Sequence, residues 1–157
     1  MLRSITIRRM RPEDIDQVLL IEKKVFPYPW PRYFFEADLA SDQAIKFVAV
    51  SGEQIIGYCL GTIGGPELHI TNVAIDPKFH HQGIGSKLLR LLEVRGRKAG
   101  CVEAYLEVRV SNQPAINMYK RNGYEISYTR RYYYLDGEDA YIMKKTLKGK
   151  KETDQCR

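Results

Sequence analysis

Residues 73–86 leave the chain few folds to choose from. Val73-Ala74-Ile75 reads as an apolar strand end, Asp76-Pro77 breaks it, and Gly83-Ile84-Gly85 opens a helix that carries Leu88, Leu91, Leu92 and Arg95 and ends near Gly100. A second strand, residues 104–110, follows at once. A strand, a crossover helix and a strand make the two strands parallel neighbours. A turn that feeds a helix N-terminus aims several backbone N–H groups at one point, where the helix dipole also favours negative charge. Glycine lets the main chain approach a phosphate closely, although a bare Gly-x-Gly is equally a plain helix start. Two phosphate motifs are excluded. A Walker loop needs Gly-Lys-Ser/Thr where this chain has Gly85-Ser86-Lys87, and a dinucleotide fingerprint needs a small residue where Leu88 stands.

The rest of the 157 residues falls into elements around that unit, and the length suits one domain. Residues 5–9 alternate as a strand, and Pro12 sits where a first helical turn tolerates proline. Ile15, Val18, Leu19 and residues 22–25 continue at helical spacing, with Glu13, Asp14 and Asp16 near the positive end. Three prolines in Phe26-Pro27-Tyr28-Pro29-Trp30-Pro31 forbid a regular helix, so an extended aromatic loop precedes a second helix over about 32–39. Residues 46–50 and 54–63 read as strands around Ser51-Gly52-Glu53, and 68–75 as another after Gly64-Gly65-Pro66. Pro114 starts a helix through Tyr119 that Asn122-Gly123 stops. Residues 124–134 and 141–145 then form a final strand pair around Asp136-Gly137. The order implies an α/β chain with a single sheet of mixed direction flanked by helices.

Composition narrows the partners. The chain carries 25 Lys and Arg against 19 Asp and Glu, a net +6 at pH 7, which points to nucleic acid, a membrane surface or a phosphate-rich cofactor. Lys144, Lys145, Lys148, Lys150, Lys151 and Arg157 against Glu152 and Asp154 place +4 of that in residues 144–157. The body is nearly balanced. Residues 1–147 are read as the domain and 148–157 as a flexible basic tail. Cys59, Cys101 and Cys156 make an odd count without metal-ligand spacing, so free thiols, a reducing cytoplasmic setting and no metal are expected. The N-terminal segment has no apolar h-region, and no apolar stretch is long enough to span a bilayer, so neither a secretory signal nor a membrane partner is expected.

At His80-His81-Gln82-Gly83-Ile84-Gly85 the chain resembles the GNAT superfamily of acetyl-CoA-dependent N-acetyltransferases, whose signature is Q/R-x-x-G-x-G/A. His80 departs from the first position. Residues 106–112 (LEVRVSN), 115–119 (AINMY), 133–143 (YYLDGEDAYIM) and 26–30 (FPYPW) resemble motifs of the RimI-type and archaeal protein N-terminal acetyltransferases. The resemblance implies a GNAT fold with acetyl-CoA as cosubstrate, and a protein or peptide N-terminus as acceptor. Val73, Ala74 and Ile75 would face the acetyl group, His81, Gln82, Gly83, Ile84, Gly85 and Ser86 the pyrophosphate, and Asn112, Ala115 and Tyr119 the remaining coenzyme. Glu107 would act as base on the amine and Tyr119 as acid to the departing thiolate. A phenol, of ordinary pKa ~10, keeps its proton at pH 7.

Each of these residues also has a plainer reading. Glu107 and Arg109 share a strand face and could be solvated polar positions; Tyr119 fits core spacing from Ala115; Asn112 suits a helix cap. His69 matches a histidine of the archaeal members, able to tune the base, and is equally a core histidine. Three consecutive tyrosines cannot all point one way in a strand, so Tyr133 and Tyr134, with Tyr28, Trp30 and Tyr33, would wall a slot for an extended peptide end, Tyr134 and Trp30 flanking the amine. A lysine or polyamine is the alternative acceptor. From another class, Arg8, Arg9, Arg130, Arg131 and the tail could make a basic nucleic-acid or ribosome-binding module, whose binding would fall steeply with salt. The balanced body argues against a specific nucleic acid as the main partner and leaves ribosome proximity open.

Overall fold

A computed structural model describes residues 4–147. The tail read at 148–157, with Cys156, lies outside the described residues. The chain runs β1 (Ile5–Arg9), α1 (Ile15–Val25), α2 (Arg32–Ala40), β2 (Ala44–Ser51), β3 (Gln54–Gly64), β4 (Glu67–Ile75), α3 (Ile84–Lys98), β5 (Glu103–Arg109), α4 (Gln113–Arg121), β6 (Glu125–Arg130) and β7 (Ala140–Thr146). Short 3-10 turns at Pro12–Asp14 and Pro77–Phe79 lead into α1 and α3. The strand order is β1-β2-β3-β4-β5-β7-β6 in a seven-stranded mixed sheet. As the crossover helix requires, β4 and β5 are parallel, from Glu67↔Glu103 to Ile70↔Leu106.

The chain divides into two compact units, the first taking the segments up to Thr62 and Thr71–Leu92, the second Ile63–Ile70 and the chain from Glu93 onward. In the first unit the apolar faces of α1 and α2 meet β2, β3 and the end of β4. Met10, Ile15, Val18, Ile21, Phe35, Val48, Tyr58 and Leu60 form its core with Ala74. Gly57 of β3 is set by close approach: a Cβ there would sit 2.6 Å from Ile75 Cδ1 and 3.1 Å from the Ala74 carbonyl. A side chain there would have to displace the Ile75 terminal methyl and press on the Ala74 carbonyl. The Asp76 amide then donates to the Ile56 carbonyl at 2.8 Å.

In the second unit β5 is antiparallel to β7 over its whole length, and β7 to β6. Burial alternates along β5: Ala104, Leu106 and Val108 are buried, and Glu103, Tyr105, Glu107 and Arg109 are half-buried. The same rhythm on β4 leaves His69 on a half-buried position between Leu68 and Ile70. Cys59 and Cys101 are buried free thiols.

One expected element is corrected. The strand expected over 124–134 ends at Arg130, paired with Ala140, so Tyr132–Tyr134 are not in it. Tyr132 has φ +54°, a left-handed conformation that cannot continue a strand. Its amide donates to Asp139 Oδ1 at 2.9 Å instead of to a ladder. The Tyr134 amide donates to the Glu138 carbonyl and the Gly137 amide to the Tyr134 carbonyl, which closes a tight turn.

Candidate active site

Parallel pairing sets His69 beside Tyr105. Their rings stack at 4.4 Å and 3°. Two residues further along the same face of β5, Glu107 presents both oxygens to the His69 ring, with Nε2 2.7 Å from Oε1 and 3.0 Å from Oε2. The Glu107 side chain is 14% exposed and that of His69 30%, so the pair stays within reach of solvent. Burial and then the Glu107 charge push the Tyr105 phenol above its usual range. Burial raises Tyr133 and Tyr134 too, and the Glu107 charge adds to both. Glu107 thus stands among tyrosines that keep their protons, with the His69 ring nitrogen as its hydrogen-bond partner.

The loop carrying those tyrosines is held by Arg109. Its guanidinium donates to Asp136 at 2.9 and 3.1 Å and to Glu138 at 2.8 Å. It also lies 4.1 Å from the centre of the Tyr134 ring. The Ser111 amide donates to Glu138 Oε2 at 3.0 Å. Contacts with Ser111 and Arg109 hold the Glu138 carboxyl below the usual carboxylate range, and the Glu138 amide with Arg109 does the same for Asp136. Tyr133 packs edge-on against Tyr134 at 5.0 Å. Arg109, read from sequence only as a polar position, is therefore the clamp of the tyrosine loop. The Asp136-Gly137-Glu138 run was the available signal, since its carboxylates need a cation.

Asn112 caps α4, its Oδ1 accepting from the Ala115 amide at 3.3 Å. The plainer reading of Asn112 holds, whatever else it contacts. Tyr119 is buried on α4, its ring 6.0 Å from that of Tyr124. Core membership and a reactive hydroxyl are compatible for a tyrosine, whose ring and tip have different environments.

In the first unit Ala74 is buried, Val73 and Ile75 half-buried. Asp76 caps the following turn: its carboxylate accepts from the Lys78 amide at 3.1 Å and from Lys24 Nζ at 3.2 Å. Burial works to raise the Asp76 carboxyl, and the Lys78 and Lys24 contacts more than offset it. His80 Nε2–H donates to the Ile75 carbonyl at 2.9 Å. The residue that departs from the signature is thus a brace across the turn. His81 (φ +63°) and Gly83 (φ +76°) are both left-handed. Nothing lies within 4 Å of a Cβ built on Gly83, so its conformation and not crowding demands glycine there. The first intrahelical bond runs from the Lys87 amide to the Gly83 carbonyl. The amides of Ile84 and Gly85 precede it, as an anion-binding helix start requires. The turn fits a coenzyme pyrophosphate held by main chain.

The proline-rich loop is not free-standing. Trp30 packs against Phe34 at 5.7 Å and Phe35 at 5.6 Å, at the margin of the core. Its amide donates to Glu22 Oε2 at 2.9 Å. Tyr28 and Tyr33 are exposed. Glu22, 1% exposed, also accepts from the Tyr58 hydroxyl and from Asn72 Nδ2. Sequence reading treated Glu22 only as a helical position. Arg8, counted toward a basic surface, is engaged in a two-pronged pair with Asp14 at 2.7 and 2.9 Å. Among the described residues no group of three or more His, Cys, Asp or Glu is placed to hold a metal ion, and no helix is long and apolar enough to cross a membrane.

Residues 15–124 match the Acetyltransferase (GNAT) family. The N-alpha-acetyltransferase of Sulfurisphaera tokodaii is 36% identical over 154 residues, which cover 90% of this chain and 92% of that one. The N-alpha-acetyltransferase RimI of Mycobacterium tuberculosis is 33% identical over 148 residues, covering 90% and 92%. Among solved structures, the ribosomal-protein-S18-alanine N-acetyltransferase of Escherichia coli superposes with a TM-score of 0.83 at 29% identity, over 94% of this chain and 97% of its own. The parallel β4–β5 pair, the glycine turn and these matches along nine-tenths of the sequence agree: the chain belongs to the GNAT family of acetyltransferases.

Proposed function

We propose that the chain transfers the acetyl group of acetyl-CoA to the α-amine of protein N-termini, by direct attack of the amine. The observation that carries the reading is the His69–Glu107 pair on the half-buried faces of β4 and β5. Relatives named N-alpha-acetyltransferase support it.

Acetyl-CoA supplies the activated thioester. A peptide α-amine has pKa ~7.7–8 and is largely protonated at neutral pH, so the acceptor must lose a proton to react. Glu107 takes that proton directly or through one water, and the ring N–H of His69 holds the carboxylate in place. Tyr119 holds a proton at its phenol for the departing thiolate. Backbone N–H at the end of the Val73-Ala74-Ile75 strand receives the carbonyl oxygen as it gains charge. His81, Gln82, Gly83, Ile84, Gly85 and Ser86 hold the pyrophosphate, and Asn112 and Ala115 contact the coenzyme. Tyr28, Trp30, Tyr33, Tyr133 and Tyr134 contact the peptide backbone, whose recognition by amphipathic rings demands no single side chain. The acceptors are ribosomal proteins or nascent chains in the cytoplasm, a setting that suits the free Cys59 and Cys101 thiols.

Incubation with acetyl-CoA and peptides differing in their first two residues, read by mass spectrometry, tests this. One acetyl on the α-amine is expected. Preferential modification of a lysine side chain or a polyamine would overturn the acceptor assignment.

A further inference from the structure

Glu22 lies at the C-terminal end of α1 with its side chain among the core residues of the first unit, 1% exposed. A carboxylate buried this deeply is stable only if its oxygens are satisfied. Three donors, from two strands and the proline-rich loop, do so. The Tyr58 hydroxyl of β3 and Asn72 Nδ2 of β4, at 2.9 Å, bond Oε1, and the Trp30 amide, at 2.9 Å, bonds Oε2. These donors differ in kind. A tyrosine hydroxyl can turn and accept, and an asparagine amide can flip to present its oxygen, but a backbone N–H can only donate. The Trp30 amide is therefore the contact that demands an acceptor at position 22. The ring of contacts closes through aromatics, since Trp30 meets Phe35 at 5.6 Å and Phe35 meets Tyr58 at 5.9 Å.

We propose that Glu22 is a positioning residue: its buried carboxylate fixes the backbone of the proline-rich loop at Trp30, and thereby sets how that loop holds the acceptor peptide. The second half of this rests on the acceptor reading given above; the first half does not. Three prolines in the loop remove backbone donors, so few main-chain bonds are available to hold it. One side-chain acceptor inside the core supplies an anchor that the loop cannot make for itself.

Trp30 is the only tryptophan of the chain, so its emission reports this loop directly. Two variants separate positioning from mere stability. Glu22→Gln keeps an oxygen for the Trp30 amide while Tyr58 and Asn72 reverse their roles, so Trp30 emission and peptide KM stay within about twofold of the parent even if Tm falls. Glu22→Leu keeps the bulk and removes the acceptor. A red shift, easier acrylamide quenching and a rise in peptide KM of about tenfold are expected, the ratio that one hydrogen bond to a charged acceptor is worth, with the acetyl-CoA KM unchanged. If Glu22→Leu does not fold, Glu22→Asp takes its place, its carboxylate one methylene short of the Trp30 amide. Unchanged Trp30 emission in Glu22→Leu, or peptide and acetyl-CoA KM rising together, would overturn the proposal. Failure of the parent chain to acetylate any peptide would overturn the acceptor reading, while the emission of the variants still decides whether Glu22 holds the loop.

Discussion

Glu22 and Glu107 both occupy regular elements next to aromatic rings, and they differ in how many of their lone pairs are committed. Glu22 accepts from three donors, on two strands and a loop, and is 1% exposed. Glu93 is of the same kind, 2% exposed, accepting from the Tyr124 hydroxyl at 2.8 Å and from Lys145 at 2.9 Å. Glu107 faces one ring nitrogen and is 14% exposed at its side chain. An ionised carboxylate offers about four lone-pair positions. Where several are filled by donors fixed in the core, the group is a staple with little room for a further partner. Where one ring nitrogen is the partner, other positions stay open to an incoming amine or water. Burial alone would have ranked Glu22 and Glu93 first; the count of committed lone pairs ranks Glu107 first.

The contrast can be broken by experiment. Glu107→Gln should lower kcat by about 10²–10⁴-fold, the usual worth of a general base, with acetyl-CoA affinity and Tm near the parent values. A fall in Tm instead would make Glu107 another staple. Tyr119→Phe should lower kcat by about 10²-fold at little cost in stability if its hydroxyl donates the proton; a purely packed ring would leave kcat alone. Glu93→Leu should cost about 2–3 kcal/mol in denaturant unfolding, since the Tyr124 hydroxyl loses its partner in the interior while Lys145 retains some solvent. Its kcat should stay within about twofold. His69→Gln should lower kcat/KM by about tenfold, as expected for a partner that orients the base rather than replacing it.

The smallest effect concerns acid. The Arg8 contact, with the Arg11 amide, holds Asp14 below the usual carboxylate range against its burial. The folded pKa lies below the unfolded one, so its stabilisation is fully present above the unfolded value, pH ~4, and is lost as pH falls through the lowered folded value. The Tm difference between the parent and Asp14→Asn should therefore hold from neutral pH to about 4 and shrink below it. A difference that grows on acidification would reverse the assignment.

Much of the fold was legible because its signals are local. The proline triplet, the turn at 81–86 and the helix stops each report on a few residues, and seven strands lie near where alternation and β-branching put them. The strand expected through Tyr134 stops at Arg130: β propensity speaks for Tyr132–Tyr134, whereas Tyr132 is turned left-handed and its amide goes to Asp139. Among site residues, the crossover helix makes the strands of His69 and Glu107 neighbours, but the register that brings the two side chains together is visible only in the structure. The clamp by Arg109 is visible only there too, since Asp136 and Glu138 lie 27 and 29 residues away.

By itself, then, the chain's sequence determined the order of elements, the parallel β4–β5 pair, the glycine turn and the shared face of Glu107 and Arg109. These depend on backbone stereochemistry and on periodicities a few residues long. Tertiary structure alone decided which carboxylates are spent. Glu22 finds its donors 8, 36 and 50 residues away and Glu93 finds its own 31 and 52 away. A hydrogen bond depends on distance in space, and no local spacing records which distant donor arrives.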